Sequence, residues 1–275
     1  MKQICRLVCS LLFVALLGML PFRPSLAVDP PGKFPELPPG PLGEMIQLGE
    51  QIVERTTTHP LSKPYVGNAL NCTSCHLENG RHPKAATFLE VATAYPAWAP
   101  REQKVITLED RIANCFMRSE NGIRPPNGSP VCVAIAAYIT WLSTDQPIRM
   151  NSEQSLGPLA VKKLSLDSRQ ANGQRGQMIY ARRCADCHGD DGQGIDENPP
   201  VWGSQSYNQG AGMMQVSKLA AWLKVSMPLD DVDLTEQEAL DVAAFVNGHE
   251  RSPFILSAHL HPDERPESET APREK

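Results

Sequence analysis

A mostly α-helical chain built as two tandem units is predicted by three observations in the sequence. The pentapeptide Cys-x-x-Cys-His occurs twice, as Cys72–His76 and Cys184–His188, with the two histidines 112 positions apart. The same order of features surrounds each: a helical segment, the pentapeptide, an irregular loop, a sulfur-bearing residue 39 positions past the histidine (Cys115 or Met227), and a closing helix. No clear run of alternating apolar and polar residues argues for strands.

Along the chain, residues 1–27 read as an export signal. Lys2 and Arg6 give a positive start, Leu7–Leu20 is an apolar run, and Ser25-Leu26-Ala27 resembles a small-x-small cleavage site. The run is short for a membrane span, and an uncleaved anchor is the alternative reading. No other stretch is long and apolar enough to cross a bilayer, so no stable span is expected once the signal is removed. Residues 28–43 are rich in proline and read as an extended lead-in. A helix is expected near Glu44–Arg55. Pro125 and Pro126 mark a loop, and Ser129-Pro130 reads as the N-cap and first residue of a helix with apolar positions 131, 135, 138, 139 and 142.

The first unit is placed at 28–155, and polar, irregular residues 156–172 read as a linker. The second unit, 173–250, opens with a helix near Gly176–Cys184. It closes with a helix begun by the capping box Thr235–Glu238 and ended by Gly248. Residues 251–275 are charged and contain proline, and read as a mobile tail.

Composition narrows the partners. Signal removal takes Cys5 and Cys9, leaving six cysteines, four of them in the pentapeptides. Only Cys115 and Cys132 remain, which excludes a disulfide scaffold. The basic count falls from 26 to 23 against 31 acids, a net charge of −8. That argues against nucleic acid and suits a soluble protein that docks through charge to a redox partner.

The pentapeptides carry the chemistry. In each, two thiols can add to haem vinyl groups, and the adjacent histidine is placed to ligate the iron. One such motif can belong to a zinc or redox site. Two behind an export signal point to two covalently bound c haems, held by Cys72 and Cys75 and by Cys184 and Cys187, with His76 and His188 as iron ligands. The fold expected of each unit is a cytochrome c domain of the class I type.

The ligands on the far side of each iron decide function. In the second unit Ser226-Met227-Pro228-Leu229 is the best candidate, a soft thioether on a stiffened loop. Met213 and Met214 are the alternatives, and Lys224 competes only if deprotonated. In the first unit Cys115 stands at the position that matches Met227. A thiolate ligand there donates electron density and lowers the iron's potential. A Cys115–Cys132 disulfide and two inert thiols are the blander readings. Cys132 shares a helix face with Ile135, Ala136 and Ile139 and reads as a small core residue. Arg118, Ser119 and Arg101 lie near Cys115 in sequence. Arginines beside a thiolate stabilise it and bind small oxyanions, although spacing alone favours a haem-propionate partner or a surface charge.

The sequence resembles the dihaem thiosulfate dehydrogenases, also described as tetrathionate reductases. The resemblance is carried by Asn71–His76, Arg101, Arg111–Gly122, Tyr138–Ser143, Cys184–Gly189, Tyr207–Met213 and Met227–Leu229, and it spans most of residues 40–250. It implies a periplasmic enzyme that joins two thiosulfates into tetrathionate, or runs the reverse. It also implies a catalytic haem on His76 and Cys115, with Arg101, Arg118 and Ser119 at the substrate. A second haem on His188 and Met227 passes electrons to or from a soluble periplasmic protein such as a small cytochrome c. Some relatives carry lysine immediately before the distal methionine; here the residue is Ser226, a departure from that pattern. The competing expectations are a non-catalytic dihaem electron carrier and a Cys-haem subunit of a multi-protein sulfur-oxidation system.

Overall fold

The computed structural model describes residues 34–153, 156–229 and 231–264. The expected export signal lies outside them. Helix α1 (Pro41–Glu54) starts three residues before its expected place, with Pro41 in its first turn and Glu44 favouring the positive helix end. Its buried residues Ile46, Gly49, Ile52 and Val53 form one stripe.

Two features of the first unit differ from the sequence expectation. A short antiparallel pair, β1 (Ala97–Ala99) and β2 (Lys104–Ile106), packs Ala97, Ala99 and Ile106 with Ala94 and Tyr95. Strands of three residues carry too little alternation to be read as a pattern. The region of Cys115 is helical: α2 (Leu108–Arg118) opens on a reciprocal cap, in which Asp110 N–H donates to Thr107 Oγ1 (3.1 Å) and Thr107 N–H to Asp110 Oδ2 (3.0 Å). Helix α3 (Pro130–Trp141) begins at the expected Ser129-Pro130.

The second unit repeats the scheme. Helix α4 (Gly173–Arg183) leads into the one-turn α5 (Ala185–His188). After a long loop come α6 (Val216–Ser226) and α7 (Glu236–Asn247), the latter carrying the expected Thr235–Glu238 box. A last turn, α8 (Leu256–His259), follows. Among the described residues no helix is long and apolar enough to cross a membrane.

Each unit has its own apolar core. Ile52, Val53, Phe116, Val131, Ile135 and Tyr138 anchor the first. Tyr180, Trp202, Leu219, Trp222, Leu240 and Val242 anchor the second. In both, the leading and closing helices cross at a glycine. A Cβ on Gly49 would stand 2.0 Å from the Ala134 carbonyl oxygen, and one on Gly176 2.0 Å from that of Asp241. Gly176→Ala is therefore expected to cost about 1–3 kcal/mol through overpacking, read as a lower midpoint in denaturant melts. An unchanged midpoint would show that α4 and α7 can move apart freely.

The two cores meet along a hydrogen-bonded seam. The buried Asn208 donates Nδ2–H to the carbonyl of Met117 (2.8 Å) and to Asn121 Oδ1 (3.0 Å). Asn68 Nδ2–H donates to the carbonyls of Ser119 and Ser206. Trp222 Nε1–H donates to the carbonyl of Cys75 (3.0 Å). The segment after Arg251, placed by its composition in a mobile tail, joins this seam as far as His259. His259 is buried with Nδ1 against the Gly122 carbonyl (2.7 Å), and its own carbonyl accepts from Arg124 N–H.

Candidate functional site

Both pentapeptides coil into a single helical turn. His76 N–H donates to the Cys72 carbonyl and His188 N–H to that of Cys184, each at 2.9 Å. Spacing of i, i+3 and i+4 then sets the two thiols and the imidazole on one face. The first turn is tied down from the turn that follows α1: Cys72 N–H donates to Thr56 Oγ1 (3.0 Å), and Asn71 Oδ1 accepts from Thr57 N–H (2.9 Å).

The imidazoles are oriented alike. His76 places Nδ1 against the Ala86 carbonyl. His188 places Nδ1 against that of Pro199 at 2.9 Å. A carbonyl partner fixes the proton on Nδ1 and leaves the Nε2 lone pair for a metal. Burial pushes His76 down to about 4, against the Ala86 hydrogen bond and with help from the Arg111 charge. It lowers His188 as well. Both rings are therefore neutral near pH 7, as a metal ligand requires.

The sulfur candidates are placed as follows. Cys115 lies in the last turn of α2, half-buried, within electrostatic reach of both Cys72 and Cys75. It is not joined to Cys132, which is fully buried in the first core. Met227 follows α6 directly, with its N–H on the Leu223 carbonyl, and packs on the same core as Cys184. Met213 touches that core and also the cluster of Leu70, Tyr207 and Ala211, on which Met214 packs too. Ser226, at the position before Met227, is buried, with no partner for its hydroxyl. Each site thus offers two thiols for attachment, a neutral imidazole and a sulfur. That donor set suits an iron whose other four positions belong to a porphyrin, so the residues present fit haem.

Arg111 and Arg118 lie near Cys115, and Arg101 and Lys218 lie near those arginines. Arg101 donates Nη1–H to the Gly210 carbonyl (2.8 Å), and Arg118 reaches the same oxygen at 3.5 Å. Arg118 is also tied to Glu102 (3.6 Å) and stands 4.3 Å over the Phe254 ring. Burial, then the charge of Arg101, pushes Arg118 down. Lys218 on α6 joins from the second unit, pushed down by partial burial and by Arg101 and Arg111. Ser119 caps α2, half-buried, with its carbonyl held by Asn68.

The residue that sequence reading passed over is Arg111. It lies one helical turn before Cys115 on the same face of α2. The charge of the Cys115 sulfur is the first cause that holds its guanidinium above the ordinary range. The i−4 spacing was the available signal. Glu120 was also missed: it is buried beside Cys72 and Cys75, burial pushes its carboxyl up to about 8, and Oε2 has no partner.

Two attachment motifs, two oriented imidazoles and two apolar cores define a dihaem c-type cytochrome, carrying two covalently bound c haems. Residues 62–148 match the model described as SoxA/TsdA, cytochrome c domain, and residues 171–246 match that of cytochrome c oxidase, cbb3-type, subunit III. The chain is 39% identical over 227 residues to the thiosulfate dehydrogenase of Stutzerimonas stutzeri, covering 80% of this chain and 72% of that one. To that of Allochromatium vinosum it is 37% identical over 256 residues, covering 89% and 92%. In structure it is similar to thiosulfate dehydrogenase (TsdBA) from Marichromatium purpuratum, with a TM-score of 0.74 and 40% identity. That match covers 80% of this chain and about half, 49%, of the solved one. The chain belongs to the thiosulfate dehydrogenase family.

Proposed function

We propose that this protein oxidises two thiosulfates to tetrathionate, and runs the reverse under reducing conditions. The reaction is assigned to Cys115, and a haem held by the second unit would supply the exit for the electrons. The observation that carries the reading is the Cys115 sulfur of α2 with Arg111 and Arg118 coupled to it, and Arg101 beside Arg118. Thiosulfate is a dianion, so two of them approach one another only where positive charge offsets their repulsion. Arg101, Arg111 and Arg118 supply that charge, and Ser119 offers a hydroxyl to a sulfonate oxygen.

The chemistry balances at sulfur. The Cys115 thiolate and the sulfane sulfur of one thiosulfate form a disulfide bond as two electrons leave. A second thiosulfate then attacks the substrate-derived sulfur, which breaks that bond, frees tetrathionate and returns the Cys115 thiolate. When bound, the haems supply two one-electron acceptors. His76 and Cys115 are assigned to the first iron, His188 and Met227 to the second. With a thiolate on the first haem and a thioether on the second, the first would have the lower potential, and electrons would be favoured to move from the first site to the second. From there they pass to a soluble redox protein such as a small cytochrome c. We place the protein in the periplasm, exported by residues 1–27, with haem domains at 28–155 and 173–250.

Steady-state assay of the haem-loaded protein with an external one-electron acceptor tests this reading. One tetrathionate is expected per two electrons delivered. Haems that dithionite reduces, combined with no thiosulfate oxidation and no tetrathionate reduction, would leave an electron carrier instead.

A further inference from the structure

Beyond α7 the chain returns to the first unit, and it brings Phe254 to the arginines near Cys115. It runs beside the loop of residues 203–210: Gly203 N–H donates to the Glu250 carbonyl (3.1 Å) and Gln209 N–H to that of Ser252 (3.0 Å). The Phe254 ring then lies against Gly210, so closely that a Cβ there would stand 2.4 Å from its Cγ. The carbonyl of that same glycine accepts from Arg101 at 2.8 Å and from Arg118 at 3.5 Å. The ring is also stacked on His259, with centroids 4.9 Å apart and planes 14° from parallel. His259 is buried, with Nδ1 against the Gly122 carbonyl, and its own carbonyl accepts from Arg124 N–H. Phe254 is therefore fixed from both units.

Arg118 needs such a wall. Its in-plane contacts are long, at 3.6 Å to Glu102 and 3.5 Å to Gly210, and Nε has no partner. Contacts of that length orient a guanidinium weakly. Phe254 meets it face on, 4.3 Å from the guanidinium carbon to the ring centroid, where the electron-rich face attracts a cation. We propose that Phe254 is a positioning residue for substrate: stacked on Arg118, it holds that guanidinium in place for the oxyanion that binds at Cys115. This rests on the thiosulfate reading of the site. The sulfonate end of thiosulfate is not the reacting end, so an arginine that grips it binds substrate and transition state alike. Loss of such a grip raises KM and spares kcat.

Two readouts on the holoprotein test it: calorimetric binding of thiosulfate to the electrochemically reduced form, which cannot oxidise it, and steady-state turnover. Phe254→Ala is expected to bind thiosulfate about tenfold more weakly, with a matching rise in KM and a much smaller change in kcat. Phe254→Tyr keeps the aromatic face and is expected to restore affinity. Phe254→Leu keeps most of the bulk without that face, and a loss of about threefold is expected. Added to Arg118→Gln, Phe254→Ala is expected to cost nothing further, because the ring acts through that arginine. Unchanged affinity in haem-loaded Phe254→Ala, or additive losses in the double variant, would overturn the proposal and leave Phe254 as a packing residue of the chain end. Should Phe254→Ala fail to fold, Phe254→Leu decides, and wild-type affinity there overturns it. Weaker binding in Phe254→Ala, with no turnover in the wild type, would uphold the positioning role and reject thiosulfate oxidation. Turnover with unchanged affinity would do the reverse.

Discussion

Cys115→Ala is expected to lower thiosulfate oxidation by about 10³-fold or more, the scale of losing a catalytic nucleophile, while both haems stay attached. Attachment depends on Cys72, Cys75, Cys184 and Cys187, which are distant in sequence and untouched by the change. The fold is expected to hold as well. Cys115 is half-buried at the end of α2, whereas the core-facing residues of that helix are Ile112, Ala113 and Phe116. Met117 is no substitute. It is two positions on, turned to another face of the helix, and buried. Normal turnover in a fully haem-loaded Cys115→Ala protein would exclude the covalent route through this sulfur.

The second large effect is expected at Arg111. Of the cations near Cys115, it is the one whose charge is coupled first to that sulfur, and it also acts on His76. Arg118 is partly spent on Glu102 and stacked on Phe254, and Arg101 is engaged with Gly210. Arg111→Gln is expected to reduce kcat/KM by about 10²-fold, the scale reported for losing one charged or hydrogen-bonding group at a developing anion. Arg118→Gln is expected to cost less. Equal losses in the two variants, from parallel steady-state measurements, would show that the arginines act as one undivided positive field.

Much of this site was legible because haem attachment forces its residues into one helical turn. Cys72, Cys75 and His76 must be contiguous, so a pentapeptide is enough to find them. Cys115 and Met227 share a 39-residue offset from His76 and His188, and each stands at the end of a helix, α2 or α6. Helices α1, α3, α4 and α7 announce themselves through apolar spacing, a proline at the start or a capping box. Helix α2 was harder. It is short, its cap uses Asp110 in place of the more usual glutamate or glutamine, and its charged residues mask the Ile112–Phe116 face. Without the helix, Arg111 and Cys115 are merely four apart; with it, they share a face.

The seam left no local trace at all. Asn208 bonds to Met117 and Asn121 across 87 to 91 positions, and His259 to Gly122 across 137. Such pairs arise from the docking of two finished units, which no window of neighbouring residues reports. Arg251 misled for a different reason. A charged residue ahead of a proline-bearing, acidic end reads as solvated, yet its burial is offset by carbonyls of Val201, Tyr207 and Val246.

The central claim is that thiosulfate gives its electrons to this protein at Cys115. Anaerobic rapid mixing of the fully oxidised holoprotein with thiosulfate, followed in the haem absorption bands with tetrathionate counted in the same sample, tests it most directly. Expected is reduction of the His188/Met227 haem, one tetrathionate for every two electrons gained, and no such phase in Cys115→Ala. Wild-type haems that dithionite reduces but thiosulfate does not, or equal reduction in the two proteins, would contradict it.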